Sequence, residues 1–296
     1  MKKSGGEIAL DIIIYILLIL VLITTLYPFI YAFAIAFNEG IDASKGGIYL
    51  FPRKFTLDNF KAVFSNHEIF SAFFISVSRT VIGTIGTLLF TGLFAYSVSH
   101  NDLMFRNHYM RIMLFSMYFS GGLIPYFILL KTLKLYNNYL VYIVPYLFNS
   151  YYAILMMSFF RGIPAALEES ARIDGANDLI IFFKIIVPVS TPVLATIALF
   201  SGVMHWNSWF DSVFFVPNKN LKTLAFYLYD LVNKANITSM GNAQIDSKAS
   251  AYALQTYTAE TIRMATMIVV IVPIIIIYPF LQKYFVKGIM IGSIKG

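Results

Sequence analysis

The chain has 296 residues, of which 58% are hydrophobic and only 12% charged, with a mean hydropathy of +0.72. A soluble domain carries about 25% charged residues, so the composition excludes an ordinary globular protein and points to a multi-span membrane protein. The absence of cysteine excludes disulfides, thiolate metal sites and thiol catalysis, and the net charge of +7 comes without a basic cluster, so it reflects membrane topology and not nucleic-acid binding.

Lys2 and Lys3 precede the first apolar segment, residues 9–37. About 20 residues cross a bilayer, so this segment spans with length to spare. It exceeds a signal-peptide core and lacks the small-residue cleavage site. Pro28 is a possible kink point. Residues 38–70 form a polar loop of balanced charge, where Thr56 or Asp58 can cap a short amphipathic helix at the outer surface. The second span is residues 71–98. Gly83, Gly86 and Gly92 permit close helix approach, and Arg79 is expected to snorkel to the headgroups.

The third span, residues 112–130, contains Gly121, Gly122 and Pro125; the fourth, residues 139–160, contains Pro145 and Asn149. The fifth is residues 189–209, followed by the longest hydrophilic segment, residues 211–259. The sixth, residues 260–284, is interrupted by Pro273 and Pro279, and a short basic tail completes the sequence. The expected organisation is an N-terminal helix and outer loop over residues 1–70, a membrane core over 71–284 and a tail over 285–296. Lys and Arg divide almost evenly between the two sides, so the positive-inside rule leaves the orientation open.

The one long polar interruption in the second half lies between the fourth and fifth spans. Pro164 suits a first helical turn, and Ala165 to Arg172 are mostly good helix formers. Glu168 and Glu169 favour the N-terminal end of the helix dipole. Gly175 can take the left-handed conformation that ends the helix. Asp178 can cap a second short helix, and Pro188 starts a fresh segment. The product is a helix, a sharp turn and another helix, too polar for lipid and able to sit in a groove on another protein. An ordinary solvated loop would carry the same charges.

Within that stretch Glu169-Ser170-Ala171 is followed by three residues, Gly175, nine residues, Ile185, then Ile186, Val187 and Pro188. This resembles the EAA loop of importer-type ABC permeases, departing only in Ser170 for Ala and Val187 for Leu. The segment from Phe51 to Phe64, the Ser120-Gly-Gly-Leu-Ile-Pro125 stretch and the Trp206-Asn207 pair resemble carbohydrate permeases of the maltose type. The ending from Tyr284 to Gly296 is similar to the subgroup handling larger oligosaccharides, including alginate-type systems.

The resemblance implies an all-α integral membrane protein with six transmembrane helices, the type I importer permease fold and a cytoplasmic EAA coupling loop. It places the chain in a bacterial cytoplasmic membrane with both termini inside. It implies a second homologous permease, two ATP-binding subunits and an extracytoplasmic solute-binding protein as partners. ATP and Mg would sit on the ATPases, because this chain has no phosphate-binding Gly-Lys-Ser/Thr loop and is not itself an enzyme. By carry-over, Glu169 would pair with a basic residue of an ATPase, Gly175 would permit the turn and Asp174 would stabilise it. Glu168, Ala171 and Pro188 complete the coupling set.

Sugar passage needs aromatic faces for pyranose rings and amides or carboxylates for hydroxyls. Trp206, Asn207, Trp209 and Asp211 offer both, with Asn149 and Tyr118 as further pathway candidates. On a helix Trp206 and Trp209 would share one face, and Asn207 and Asp211 an adjacent polar face. An interfacial aromatic belt would use the same tryptophans, and His205 alone reads as a packed polar residue. The rival function, an ion-coupled secondary carrier of a small polar solute, usually needs acids near the midplane; none is evident. No clustered His or acidic site suggests a membrane enzyme or a metal.

Overall fold

A computed structural model describes residues 5–240 and 257–293. The described residues form helices and turns without a strand; the one isolated bridge joins Asn38 to Phe55. Two units separate by their internal contacts. One comprises residues 1–67 and 228–272, the other residues 68–227 and 273–296.

In the first unit, α1 (Gly5–Ala36) runs 32 residues, about 48 Å, and continues through Pro28. Its apolar side chains from Ile8 to Ile23 are exposed, as a lipid-facing helix requires. Thr24 and Thr25 fold their hydroxyls back onto carbonyls one turn earlier, at 2.9 Å on Leu20 and 2.7 Å on Val21, so neither needs water. The loop after α1 is held together by amides. Asn38 donates to the Glu39 carbonyl and to Asp42, and accepts from Lys54 N–H, while Asn59 donates to the carbonyls of Ala36 and Asn38. The Asn38 hydrogen bond, outweighing burial and aided by Arg53 at 3.0 Å, holds the Asp42 carboxyl below its usual range. Short α2 (Gly40–Ala43) and α3 (Asp58–Ser65) complete this region, and the Thr56 hydroxyl accepts from Asp58 N–H at the start of α3.

The second unit is organised on α4 (His67–Ser99), one unbroken 33-residue helix. Its buried positions Ala72, Ser76, Arg79, Gly83, Thr87 and Thr91 recur every three or four residues, the stripe of a helix packed along one side. The following expected spans are bent. The third divides into α5 (Arg106–Tyr118) and α6 (Leu123–Thr132), at 119° to each other. Gly122 at φ 83° makes the turn there. The fourth begins as two 3-10 turns, Tyr139–Tyr142 and Val144–Tyr146, and bends by 44° into α7 (Ser150–Phe160), which Asn149 caps by accepting from Tyr152 N–H.

The polar stretch folds as α8 (Ala165–Ile173) and α9 (Asp178–Ile181). A π-helical segment, Phe182–Ile186, leads to α10 (Val187–Val189). After an 84° bend the chain continues as α11 (Thr191–Asn207) and α12 (Phe210–Phe214). The hydrophilic segment that follows contains α13 (Leu224–Met240); residues 241–256 lie outside the described ones. Finally α14 (Ala259–Ser293) passes through Pro273 and Pro279 and carries helix into the expected tail; residues 294–296 lie outside the described ones. By length and composition three helices can cross a membrane, and up to six segments can if each bent pair counts as one. The main core joins the end of α4 to α7 and to the chain after α8, through Tyr96, Met156, Phe160, Ile181, Phe182 and Ile197.

Candidate functional site

The polar stretch ends α8 with two reverse hydrogen bonds. Gly175 N–H reaches the Arg172 carbonyl at 3.0 Å, and Ala176 N–H reaches the Ala171 carbonyl at 2.9 Å. This pairing needs a left-handed residue between them, and Gly175 supplies φ 83° with open space around it. Ala171 and Ala176 pack on the core below. Asp174 is the exposed last residue before the turn. Pro164 sits at the cap position, one residue earlier than the first-turn position read from sequence. Asp178 does not cap α9: Asn177 does, accepting from Ile180 N–H at 2.9 Å. Asp178 is thereby released to pair with Arg172 across the turn at 2.6 Å.

No residue of α8 is buried. Glu169 is exposed and makes no ion pair among the described residues. Glu168 instead turns inward: it accepts from Tyr96 hydroxyl at 3.1 Å and contacts His100 Nε2 at 2.9 Å. Pro188 lies inside α10, just before the bend into α11.

The pathway candidates do not form one patch. Tyr118 ends α5 and is 84% exposed, while Asn149 serves as the cap of α7. Trp206 is buried edge-on to Phe73, with ring centroids 6.2 Å apart, and walls an apolar cavity of about 380 Å³ with Thr80, Thr84 and Gly202. Asn207 is exposed at the end of α11, and Trp209 is 37% exposed. The expected shared face of Asn207 and Asp211 does not exist, because Ser208 is extended and breaks the helix between them. Asp211 is 1% exposed and faces inward.

What draws Asp211 inward is Arg79, which is fully buried and does not snorkel. Its Nη2 pairs with Asp211 Oδ2 and its Nη1 donates to the Ser208 carbonyl at 3.1 Å. The guanidinium lies 4.6 Å from the Tyr142 ring centre and 5.6 Å from that of Tyr146. Tyr146 hydroxyl closes the arrangement, lying 2.9 and 3.0 Å from the two Asp211 oxygens. Alongside, Tyr142 hydroxyl donates to the Leu221 carbonyl at 2.8 Å and shares a hydrogen bond with Ser212. The break at Ser208 puts the carbonyl just past α11 and the Asp211 carboxylate on one buried cation. His205 is packed, as read from sequence, in the space left by Gly83. No group of three or more His, Asp or Glu side chains among the described residues could hold a metal.

No family model matches the chain. It is 37% identical over 252 residues to the polygalacturonan/rhamnogalacturonan transport system permease protein YtcP of Bacillus subtilis (strain 168), covering 83% of this chain and 84% of that one. The chain belongs to the ABC-transporter sugar permeases. The permease is also 28% identical over 266 residues to the arabinooligosaccharides transport system permease protein AraQ of Halalkalibacterium halodurans, 88% of each chain. Among solved structures it superposes on a chain of a bacterial ABC transporter involved in the import of the acidic polysaccharide alginate. The TM-score is 0.89 at 29% identity, over 96% of the permease and 99% of that chain. The permease is therefore an integral membrane translocation component and not an enzyme.

Proposed function

We propose that the permease passes an oligosaccharide containing acidic sugars into the cell, and that α8 with the Gly175 turn receives the power stroke of a separate ATPase. The substrate class rests on the relatives named for polygalacturonan/rhamnogalacturonan and for alginate. One observation carries the coupling reading. α8 is a polar helix with no buried residue, held at a fixed angle by the left-handed Gly175 and anchored at its far side in the main core. Such an element presents a rigid face to a partner while its displacement moves the bundle. Glu169 on that face meets a basic residue of the ATPase, and the Asp174–Gly175 turn keeps the face in register.

In this reading the permease pairs with a second, homologous permease, with two ATPases that carry the ATP and Mg, and with an extracytoplasmic binding protein. The polar loop and both termini are cytoplasmic, and six passages result when each bent pair crosses once. Trp206, Asn207 and Trp209 border the sugar path, and Asp211 acts behind them through Arg79.

The experiment is reconstitution of the complete transporter in liposomes with Glu169→Ala and Gly175→Val. Both variants insert, and both lose sugar-stimulated ATP hydrolysis and uptake. Normal uptake by both would remove the coupling role from this loop.

A further inference from the structure

α4 ends against the polar loop, and three side chains meet there. Tyr96, on the last turn of α4, directs its hydroxyl to Glu168 Oε2. His100, just past the helix, places Nε2 2.9 Å from the same oxygen and Nδ1 2.9 Å from the Tyr96 carbonyl. The rings of Tyr96 and His100 stand edge to face at 4.7 Å. A carbonyl and an ionised carboxylate are acceptors only. A neutral imidazole has one N–H and satisfies one of them; the imidazolium satisfies both. The geometry therefore selects the protonated ring.

We propose that His100 is a positioning residue for energy coupling: its cation clamps Glu168, and with it α8, to the end of α4, and the clamp loosens when the ring loses its proton. The inference rests on the coupling role of α8 given above. Ala171 rests α8 on the main core, and the Glu168 contact is what joins it to the end of the helix that carries Arg79.

The surroundings favour the cation. Burial alone pushes the imidazole down, but the Glu168 hydrogen bond, the Tyr96 carbonyl and the charges of Glu168 and Asp102 outweigh it and hold His100 above its ordinary value. The other charged groups near the ring are Arg172 and Asp178, paired with each other across a groove that His100 also lines. Arg106, on α5, is committed to the Val98 carbonyl at 2.8 Å. Because the folded value is raised, the clamp is fully present below the ordinary imidazole value of about 6.5. It is lost as pH rises through the raised one.

This chain has no cysteine, so labels are attached to it alone before it is assembled with its partners. Ser97→Cys and Ala166→Cys, both at exposed positions, place spin labels on α4 and α8 of this chain in the reconstituted transporter. The distance distribution is narrow near pH 6 and broadens towards about pH 9, across the range where a raised imidazole titrates. His100→Ala makes it broad at every pH. His100→Gln, which keeps a donor to Glu168 but does not titrate, keeps it narrow and flat with pH. With an oligogalacturonide as probe, ATP hydrolysed per sugar carried rises at least about fivefold in His100→Ala, the lower end of ordinary site-to-site coupling, and His100→Gln restores most of it. A pH-independent distribution in the unsubstituted chain, or wild-type coupling in His100→Ala, overturns the clamp. If Gly175→Val uncouples while His100→Ala does not, the clamp alone falls. If Glu169→Ala and Gly175→Val also transport normally, the coupling role and the clamp fall together.

Discussion

Removing one partner of the Arg79–Asp211 pair tests the buried electrostatics, and the two partners are not equivalent. Asp211→Asn keeps the shape but leaves a guanidinium that cannot lose its proton. Breaking a buried pair on one side costs about 3–5 kcal/mol. The Ser208 carbonyl and the ring faces of Tyr142 and Tyr146 still solvate the cation, and a desolvated ring contact is worth about 2 kcal/mol. That places Asp211→Asn near the bottom of the range, at about 3 kcal/mol. Arg79→Met leaves a carboxylate that can take up a proton and stay hydrogen-bonded to Tyr146. Its cost is about 1–2 kcal/mol, that of a buried polar group with imperfect partners. The double variant Arg79→Met/Asp211→Asn returns close to Arg79→Met alone, because no buried charge remains. The chain's two tryptophans, Trp206 and Trp209, flank the Ser208 break and report directly. Their fluorescence through unfolding in mixed detergent and dodecyl sulfate micelles gives the ordering. A smaller loss for Asp211→Asn than for Arg79→Met, or a double variant worse than either, would refute the argument.

A methyl group at Gly83 would lie 2.5 Å from His205 Nε2, so Gly83→Ala drives α4 and α11 apart. It costs about 1–3 kcal/mol of stability in the same unfolding assay, as overpacking does, and His205→Ala in the same chain recovers most of that. Asn207→Ala, at an exposed amide beside Trp206, lowers oligosaccharide uptake by reconstituted transporter that assembles in normal yield. Undiminished uptake would move the sugar contacts to the partner permease.

Legibility followed the range of the interactions. The Gly175 turn was readable because its cause is local: a left-handed residue after a run of helix formers. Gly83, Gly86 and Gly92 were readable as points of close approach, and each faces a side chain of another element: His205, Leu147 and Phe182. Asp178 was misassigned as a cap because Asn177, an equally good cap, stands one residue earlier and accepts the hydrogen bond instead. Prolines and glycines were visible in the third and fourth spans and at Pro188 before the fifth, but whether such residues kink a helix or break it depends on packing. Gly122 and Pro188 thus marked where the chain could turn, but not that it turns through 119° and 84°. Arg79 stood out as a lone cation in an apolar run, yet its partner lies 132 residues away, and burial of the pair is a tertiary fact. The same fact separated Asn207 from Asp211, which a continuous helix would have placed together.

The chain that leaves α8 towards α11 is mechanically compliant. Its hydrogen-bond ladder widens at Phe182–Ile186, loses donors at Pro188 and Pro192, and turns through 84°. A load applied to the loop along this route is absorbed as local flexing before it reaches Trp206. α4 contains no proline and no break over 33 residues, so its bending stiffness is that of a continuous rod. Displacement at Tyr96 arrives at Arg79, about 25 Å along the axis, almost undiminished. Under the coupling proposed above, one input would therefore translate α4 and reorient α11 about a soft joint.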